Sequence, residues 1–376
     1  MDFALTEEQE MLKKMARDFL TEKCPKSFVR QVEAGETGHS PELWREMAGL
    51  GWPGLAFPEE YGGTGMSFFD LSLLLEEMGR ACLPGPFFST VILAGLPILE
   101  AGSDAQKRQY LPAIGRGESI FTLALTEAEG TYDAGSIQTK ATAGRDGYTI
   151  DGVKLFVPDA HVASHMLCVA RTGKGATPEE GISIFIVDAR SPGIACTPLK
   201  AIAGRPCEVV FSGVKVPVEN VLGQPGNGRG IIRRTVDRAA IASCCDMIGG
   251  AQQVLEMTVA YSKERKQFDR PIGSFQALQH YMADMALDVE GSRFITHQAA
   301  WMLSEGLPCT KEIATAKAWV GEAYRRVLIQ AHQVHGAIGF SMDHDLQLYY
   351  RRAKVAEVSF GDADFQREVV ARQMGL

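Results

Sequence analysis

The stretch Arg265-Lys266-Gln267-Phe268-Asp269-Arg270-Pro271-Ile272-Gly273-Ser274-Phe275-Gln276 lies between two long runs of helical apolar periodicity. The spacing predicts a helix that ends in a cluster of cations, breaks at Pro271 and Gly273, and restarts behind Ser274 as N-cap. Such a corner sets guanidinium groups beside newly exposed backbone N–H groups, a combination that suits a pyrophosphate. An ordinary corner with a solvated basic tip carries the same local signature.

Outward from this corner the chain changes character twice. Thr6 with Gln9 starts a helix whose apolar residues Met11, Leu12, Met15, Phe19 and Leu20 recur at helical spacing. Ser40-Pro41 opens another helix, with serine as cap and proline in the first turn, and Ser103-Asp104 opens a third. Phe87 to Leu99 reads as a buried helix broken by Gly95 and Pro97, too short to span a membrane. From about Ile120 the runs become short and β-rich: 147–157 reads as two strands joined at Asp151-Gly152, followed by 166–170, 182–187 and 209–211. Gln224-Pro225-Gly226-Asn227-Gly228-Arg229-Gly230 closes this part as a linker or turn. Helical runs near 231–267, 275–304, 309–339 and 344–371 then suggest a bundle. The expected division is a helical domain over 1–118, a β domain over 119–224 and a helical bundle over 225–376.

The opening stretch resembles the R-x-Q-F-x-x-P-I-x-x-F-Q signature of flavin-dependent acyl-CoA dehydrogenases, and the resemblance covers nearly the whole chain. It implies that family's fold: an N-terminal α-helical domain, a middle β-barrel and a C-terminal four-helix bundle. It also implies FAD as cofactor, an acyl-CoA substrate, electron-transferring flavoprotein as acceptor, and a homotetramer or heterotetramer. Leu123, Leu125 and Thr126 match the family's segment beside the isoalloxazine. Phe156 stands at its aromatic wall, while Pro158 replaces the usual threonine and has no N–H to offer the flavin. By the same resemblance Arg265, Gln267 and Phe268, with Gln333, Gly336 and Ala337, hold the rest of FAD across a subunit boundary; Ala337 replaces a usual glycine. Tyr132, where relatives have a small residue, and Asp237 are expected near the substrate.

The 376 residues carry a formal net charge of −8 with no basic stripe, which argues against nucleic acid. No apolar run reaches membrane-spanning length, and Met1 to Glu8 contain neither a basic leader nor an apolar core, so a cytoplasmic location is expected. The eight cysteines form no CxxC pair and suggest reduced thiols. His332, His335 and His344 lack a ligand frame, so no metal is expected.

The resemblance sharpens the question of the base. The family's usual glutamate, in a Tyr-Glu-Gly-Thr run, corresponds to Phe360, and the alternative position corresponds to Ala239. Between Ala239 and Leu255 the one charged residue is Asp246, set among small and apolar neighbours. Desolvation there would raise its pKa towards neutrality, as a general base requires. A branch of the family with a Phe-Gly-Asp ending places an acid in this run and includes enzymes for steroid side chains and other bulky or cyclic acyl-CoAs. The competing reading makes Asp246 a structural carboxylate paired with Arg293 or Arg325. Two other functions remain open: a catalytically silent partner subunit of a heteromeric enzyme, and a 1,4-dehydrogenation on a cyclic acyl-CoA.

Overall fold

A computed structural model of the chain describes residues 4–173, 177 and 179–376. Met1, Asp2 and Phe3 of the N-terminal stretch lie outside them. The order of elements is helical, then β, then helical. The chain forms two compact units, one built from the segments up to Arg30, Phe68–Leu83 and Ala240–Leu376, the other from Gln31–Ser67 and Pro84–Ala239.

In the first unit, α1 (Glu7–Lys23) begins at a capping box in which Thr6 and Gln9 satisfy each other's backbone N–H groups. It packs on α4 (Phe68–Ala81), a helix buried nearly all round. Helix α2 (Lys26–Ala34) links the units in sequence, and α3 (Pro41–Gly49) in the second unit starts at the Ser40 cap with Pro41 in its first turn. Helix α7 (Gly228–Glu264) meets α4 at glycines: a Cβ on Gly79 would lie 2.0 Å from the carbonyl oxygen of Asp246, and one on Gly249 1.7 Å from that of Glu76. Only glycine allows backbones this close. Beyond the corner, α8 (Gln276–Ser304) and α9 (Thr310–His335) pack together. The last periodic run is two helices rather than one, α10 (Leu346–Val358) and α11 (Ala363–Gln373). The chain turns between them because Phe360 and Gly361 adopt left-handed backbone (φ 58° and 90°) and Asp362 caps α11. The buried Lys317 ammonium donates to the carbonyls of Ala356 and Glu357, satisfying the end of α10 just before this turn.

The second unit is an eight-stranded sheet with helices beside it. Its strands are β1 (Phe121–Ala124), β2 (Lys140–Ala143), β3 (Gly147–Pro158), β4 (His165–Arg171), β5 (Ile182–Asp188), β6 (Ile194–Pro198), β7 (Pro206–Pro217) and β8 (Val221–Leu222). They run in the order β6-β7-β3-β2-β4-β5-β8, with β1 parallel to β4. The expected barrel does not close: among the described residues β6 and β8 end the path and do not pair with each other. Ile150, Val157, Met166, Cys168, Phe185, Val209 and Phe211 form its core. A π-helical turn, Phe88–Gly95, runs on into α5 (Leu96–Ala101) without the expected break, and Thr90 hydroxyl bonds tie it to Phe121 of β1. Helix α6 (Asp104–Gly115) starts at the Ser103–Gln106 capping box.

The Asp151-Gly152 hairpin does not form. Residues 147–158 are one strand: Asp151 stays paired with Lys140 of β2, and the register shift against β7 between Ile150 and Gly152 puts the extra residue on β7, at Ser212 and Gly213. Asp151 accepts the N–H of Gly213 instead of closing a turn. No helix among the described residues is long and apolar enough to cross a membrane.

Candidate functional site

The corner between α7 and α8 is a miniature hairpin. Helix α7 stops at Glu264, and β9 (Lys266–Gln267) pairs with β10 (Arg270–Pro271) across Phe268 and Asp269. Both turn residues have positive φ, 54° and 60°, as a tight two-residue hairpin loop demands. Phe268 stands 86% exposed at the tip, and Arg265 and Gln267 are exposed beside it. The Arg270 guanidinium stacks 4.2 Å over the ring of Phe275. Ser274 is not the N-cap of α8: its hydroxyl donates to the Pro271 carbonyl at 2.7 Å, and Phe275 takes the cap position without a side-chain bond. The rigid tip therefore comes from turn geometry rather than from a capped helix start.

In the same unit α9 ends at His335, and Gly336 turns the chain at φ 64°, ψ −143°, a conformation that side chains resist. Gln333 and Ala337 are exposed beside it. The His335 ring stacks on Tyr261 at 4.4 Å, and among the described residues neither buried ring nitrogen has a hydrogen-bond partner. His332, by contrast, is engaged through Leu328 and Gln347. No cluster of potential metal ligands occurs among the described residues.

The second expected cradle lies in the β unit. Leu123 and Leu125 point into protein, so this segment offers its backbone and the half-buried Thr126. Two bonds fix it. The Leu155 N–H donates to the Thr126 carbonyl at 2.8 Å, and the fully buried Lys154 ammonium donates to the Leu125 carbonyl at 3.0 Å. Lys154 also pairs with Glu127 at 2.7 Å, and that carboxylate accepts the N–H groups of Gln138 and Thr139. Although burial works against it, the Lys154 charge and these bonds hold the Glu127 carboxyl below its ordinary range. Glu127 is thus a buried clamp. Phe156 breaks the strand's regularity with φ 55° and leaves its ring 59% exposed, an open aromatic face beside the fixed segment.

Asp246 lies on α7 within the helical unit. Burial pushes its carboxyl from 3.8 up to about 6, with Arg352 pulling the other way. No hydrogen bond from a described residue reaches that carboxylate, and the side chain is half-buried. The pairing with Arg293 or Arg325 does not occur. Arg293 is held by Glu76 at 3.0 Å, with Glu290 and Gln252, and Arg325 by Glu357 at 2.7 Å. The cation that acts on Asp246 is Arg352 of α10. An ionisable carboxylate titrating near neutrality with no bound donor is chemically a proton acceptor.

Of the remaining expected residues, Asp237 is half-buried, and burial pushes its carboxyl up against the pull of Arg233 and Arg238. Arg234 and Arg238 both pair with Glu100. Tyr132 is half-buried in the loop after β1. Ala239 is fully buried and Phe360 half-buried, so neither position presents an acid.

Three family models match the chain: acyl-CoA dehydrogenase N-terminal domain over 6–118, middle domain over 122–214 and C-terminal domain over 226–375. The chain is 36% identical to a probable acyl-CoA dehydrogenase, YngJ, of Bacillus subtilis, with both chains covered in full. It is 33% identical to acryloyl-CoA reductase (NADH) of Anaerotignum propionicum, over 100% of this chain and 96% of the other. Among solved structures, butyryl-CoA dehydrogenase from Megasphaera elsdenii superimposes with a TM-score of 0.93 at 31% identity, both chains covered in full.

Proposed function

Because this chain belongs to the acyl-CoA dehydrogenase family, we propose that it is an FAD-dependent oxidoreductase that introduces a double bond α,β to the carbonyl of an acyl-CoA thioester. The carrying observation is Asp246: a carboxylate pushed up to about 6, with no hydrogen-bond donor among the described residues, in a chain whose two familiar base positions hold Phe360 and Ala239. Bound FAD supplies the acceptor for the β-hydrogen. The side chains and backbone do the rest.

Leu123, Leu125 and Thr126 offer a backbone edge locked by Lys154, and the open face of Phe156 provides a surface for a planar ring. Arg265, Gln267 and Phe268 on the hairpin, with Gln333, Gly336 and Ala337 at the end of α9, are assigned to the pyrophosphate and adenine side. Their exposure and the unsatisfied His335 nitrogens support that assignment. Asp246 takes the α-proton. Its ordinary-range competitor would be too weak a base for an α-carbon, whereas a raised pKa narrows the gap. Arg352 keeps a useful fraction of it ionised at neutral pH. Asp237 and Tyr132 are assigned to the CoA side of the substrate.

The substrate class belongs to the same reading: a bulky, branched or cyclic acyl group. Ala239, Ala242 and Ser243, one to two turns before Asp246, carry little side-chain volume, which supports it. Electrons pass to an electron-transferring flavoprotein, and the hairpin's exposed aromatic tip favours a tetramer in which one subunit completes another's cofactor site. Phe360 in place of the usual acid also supports the alternative of a catalytically silent partner subunit. Anaerobic addition of acyl-CoAs to the purified protein separates the two. Loss of flavin absorbance near neutral pH supports the enzyme; a protein without flavin, or a flavin unchanged by every linear, branched and cyclic thioester tried, overturns it.

A further inference from the structure

The β unit carries a second chemically distinctive cluster. Cys196 of β6 and Cys207 of β7 lie on one face of the sheet and one step apart diagonally: Cys196 is opposite Val209, and Cys207 is opposite Pro198. Both are free thiols, with Cys207 fully buried and Cys196 half-buried. The Cys207 sulfur lies 3.6 Å from Nδ1 of His161. On the other side of that ring, Nε2 is 2.7 Å from the Thr37 carbonyl. A carbonyl only accepts, so Nε2 carries the hydrogen and Nδ1 turns a lone pair to the thiol.

We propose that Cys196 and Cys207 are a peroxide-sensitive dithiol, with His161 as the group that accepts the Cys207 proton. The Cys207 thiolate attacks one oxygen of a peroxide. The O–O bond breaks, the leaving oxygen takes the proton from His161, and Cys207 becomes a sulfenic acid. The Cys196 sulfur then attacks the Cys207 sulfur. Water leaves with the Cys196 proton, and a disulfide remains. Two thiols are oxidised and one peroxide is reduced to an alcohol, or water, plus a water.

The surroundings favour this pair over the other thiols. Neighbouring Cys196 and then His161 push Cys207 down, and Cys196 is pushed up in return. Nearby charges do not oppose it. Burial keeps Asp159 towards its neutral form, with Ser89 on its carboxyl, and pushes His39 down. The Arg205 guanidinium turns away to the carbonyls of Glu33 and Gly35. Burial above all pushes up the thiols of Cys24, Cys82, Cys168, Cys244 and Cys245, which makes them poor nucleophiles. Diagonal positions on paired strands are typically about 7–8 Å apart, slightly beyond disulfide reach. Strand β6 ends the strand path and pairs only with β7 among the described residues, so the disulfide requires a local shift of that one pairing.

The test is stoichiometric hydrogen peroxide on the purified full-length protein, followed by non-reducing peptide mass spectrometry. The expected product is a Cys196–Cys207 cross-link that dithiothreitol reverses. The Cys196→Ser variant stops at a Cys207 sulfenic acid that dimedone captures, and His161→Gln slows that capture about tenfold, in line with its lower thiolate fraction. Circular dichroism matching the parent shows that each variant is folded. Oxidation that reaches another cysteine first, a pair that stays reduced, or an unchanged rate in His161→Gln overturns the proposal.

Discussion

Replacing Asp246 with asparagine removes the charge while keeping the shape, and the structure sets the size of two effects. The first is on stability. Burial pushes the folded-state carboxyl from 3.8 up to about 6, so the ionised form costs the folded protein about 3 kcal/mol. A raised carboxyl pKa means that the folded state binds the proton more tightly than the unfolded chain. The associated stability is therefore fully present below pH 4, is lost as pH rises to about 6, and stays lost above it. The asparagine has no such dependence. Urea unfolding of parent and variant at pH 4 and pH 8 should show their difference moving by about 3 kcal/mol in the variant's favour at the higher pH. Any fixed cost of burying the amide cancels between the two pH values. The second effect is on turnover, which should fall by roughly 10²–10⁴ while bound flavin stays near parental levels. The parent's kcat/KM should rise through about pH 6 as the base ionises. Turnover within about twofold of the parent, or a stability difference that is flat from pH 4 to pH 8, would refute the reasoning.

Four further substitutions probe the frame around these sites. Glu76 is buried between Lys13, Arg293 and His297. Despite burial, the His297 hydrogen bond and the two cations hold its carboxyl far below 4.5. Glu76→Gln should cost about 3–5 kcal/mol in urea unfolding at pH 7, and because a depressed carboxyl loses its advantage as pH falls, the gap should shrink below about pH 4; a gap that widens there contradicts the assignment. Lys154→Met strands the Glu127 carboxylate and should cost about 3 kcal/mol together with most of the bound flavin, so normal stability and normal absorbance would discount the clamp. Gly336→Val forces a branched side chain to φ 64°, ψ −143°, at about 1–3 kcal/mol; calorimetric FAD titration should show weakened binding, and parental affinity would remove Gly336 from the cofactor site. Gly79→Ala places a Cβ 2.0 Å from the Asp246 carbonyl oxygen and should destabilise by about 3 kcal/mol or more, whereas a neutral result would mean that α4 and α7 are less tightly joined than described.

Features decided by neighbours in the chain are legible in the sequence. The caps at Thr6, Ser40 and Ser103 are satisfied within three residues of themselves. The helical, β, helical order follows from periodicities of the same short range. The misreadings share the opposite cause. Asp151-Gly152 has the local chemistry of a hairpin turn, but pairing with β2 and with the distant β7 outweighs it, and the strand runs on through both residues. Ser274 has the right side chain for a cap, yet the Pro271 carbonyl takes its hydroxyl. In the candidate site, the isolation of Asp246 among small residues is visible in the sequence, whereas Arg352 reaches it only through the packing of α10. Glu127 and Lys154 are likewise far apart in sequence and meet only when β3 is laid beside the end of β1.

The most direct measurement is the distance from the Asp246 carboxylate to the α-carbon in a crystal structure of the FAD-loaded protein with a non-reacting CoA thioester. A carboxylate oxygen about 3–3.5 Å from that carbon, the separation of a reacting pair, is the predicted result. An α-carbon that faces a different acid, with Asp246 turned onto Arg352 and out of reach, would contradict it.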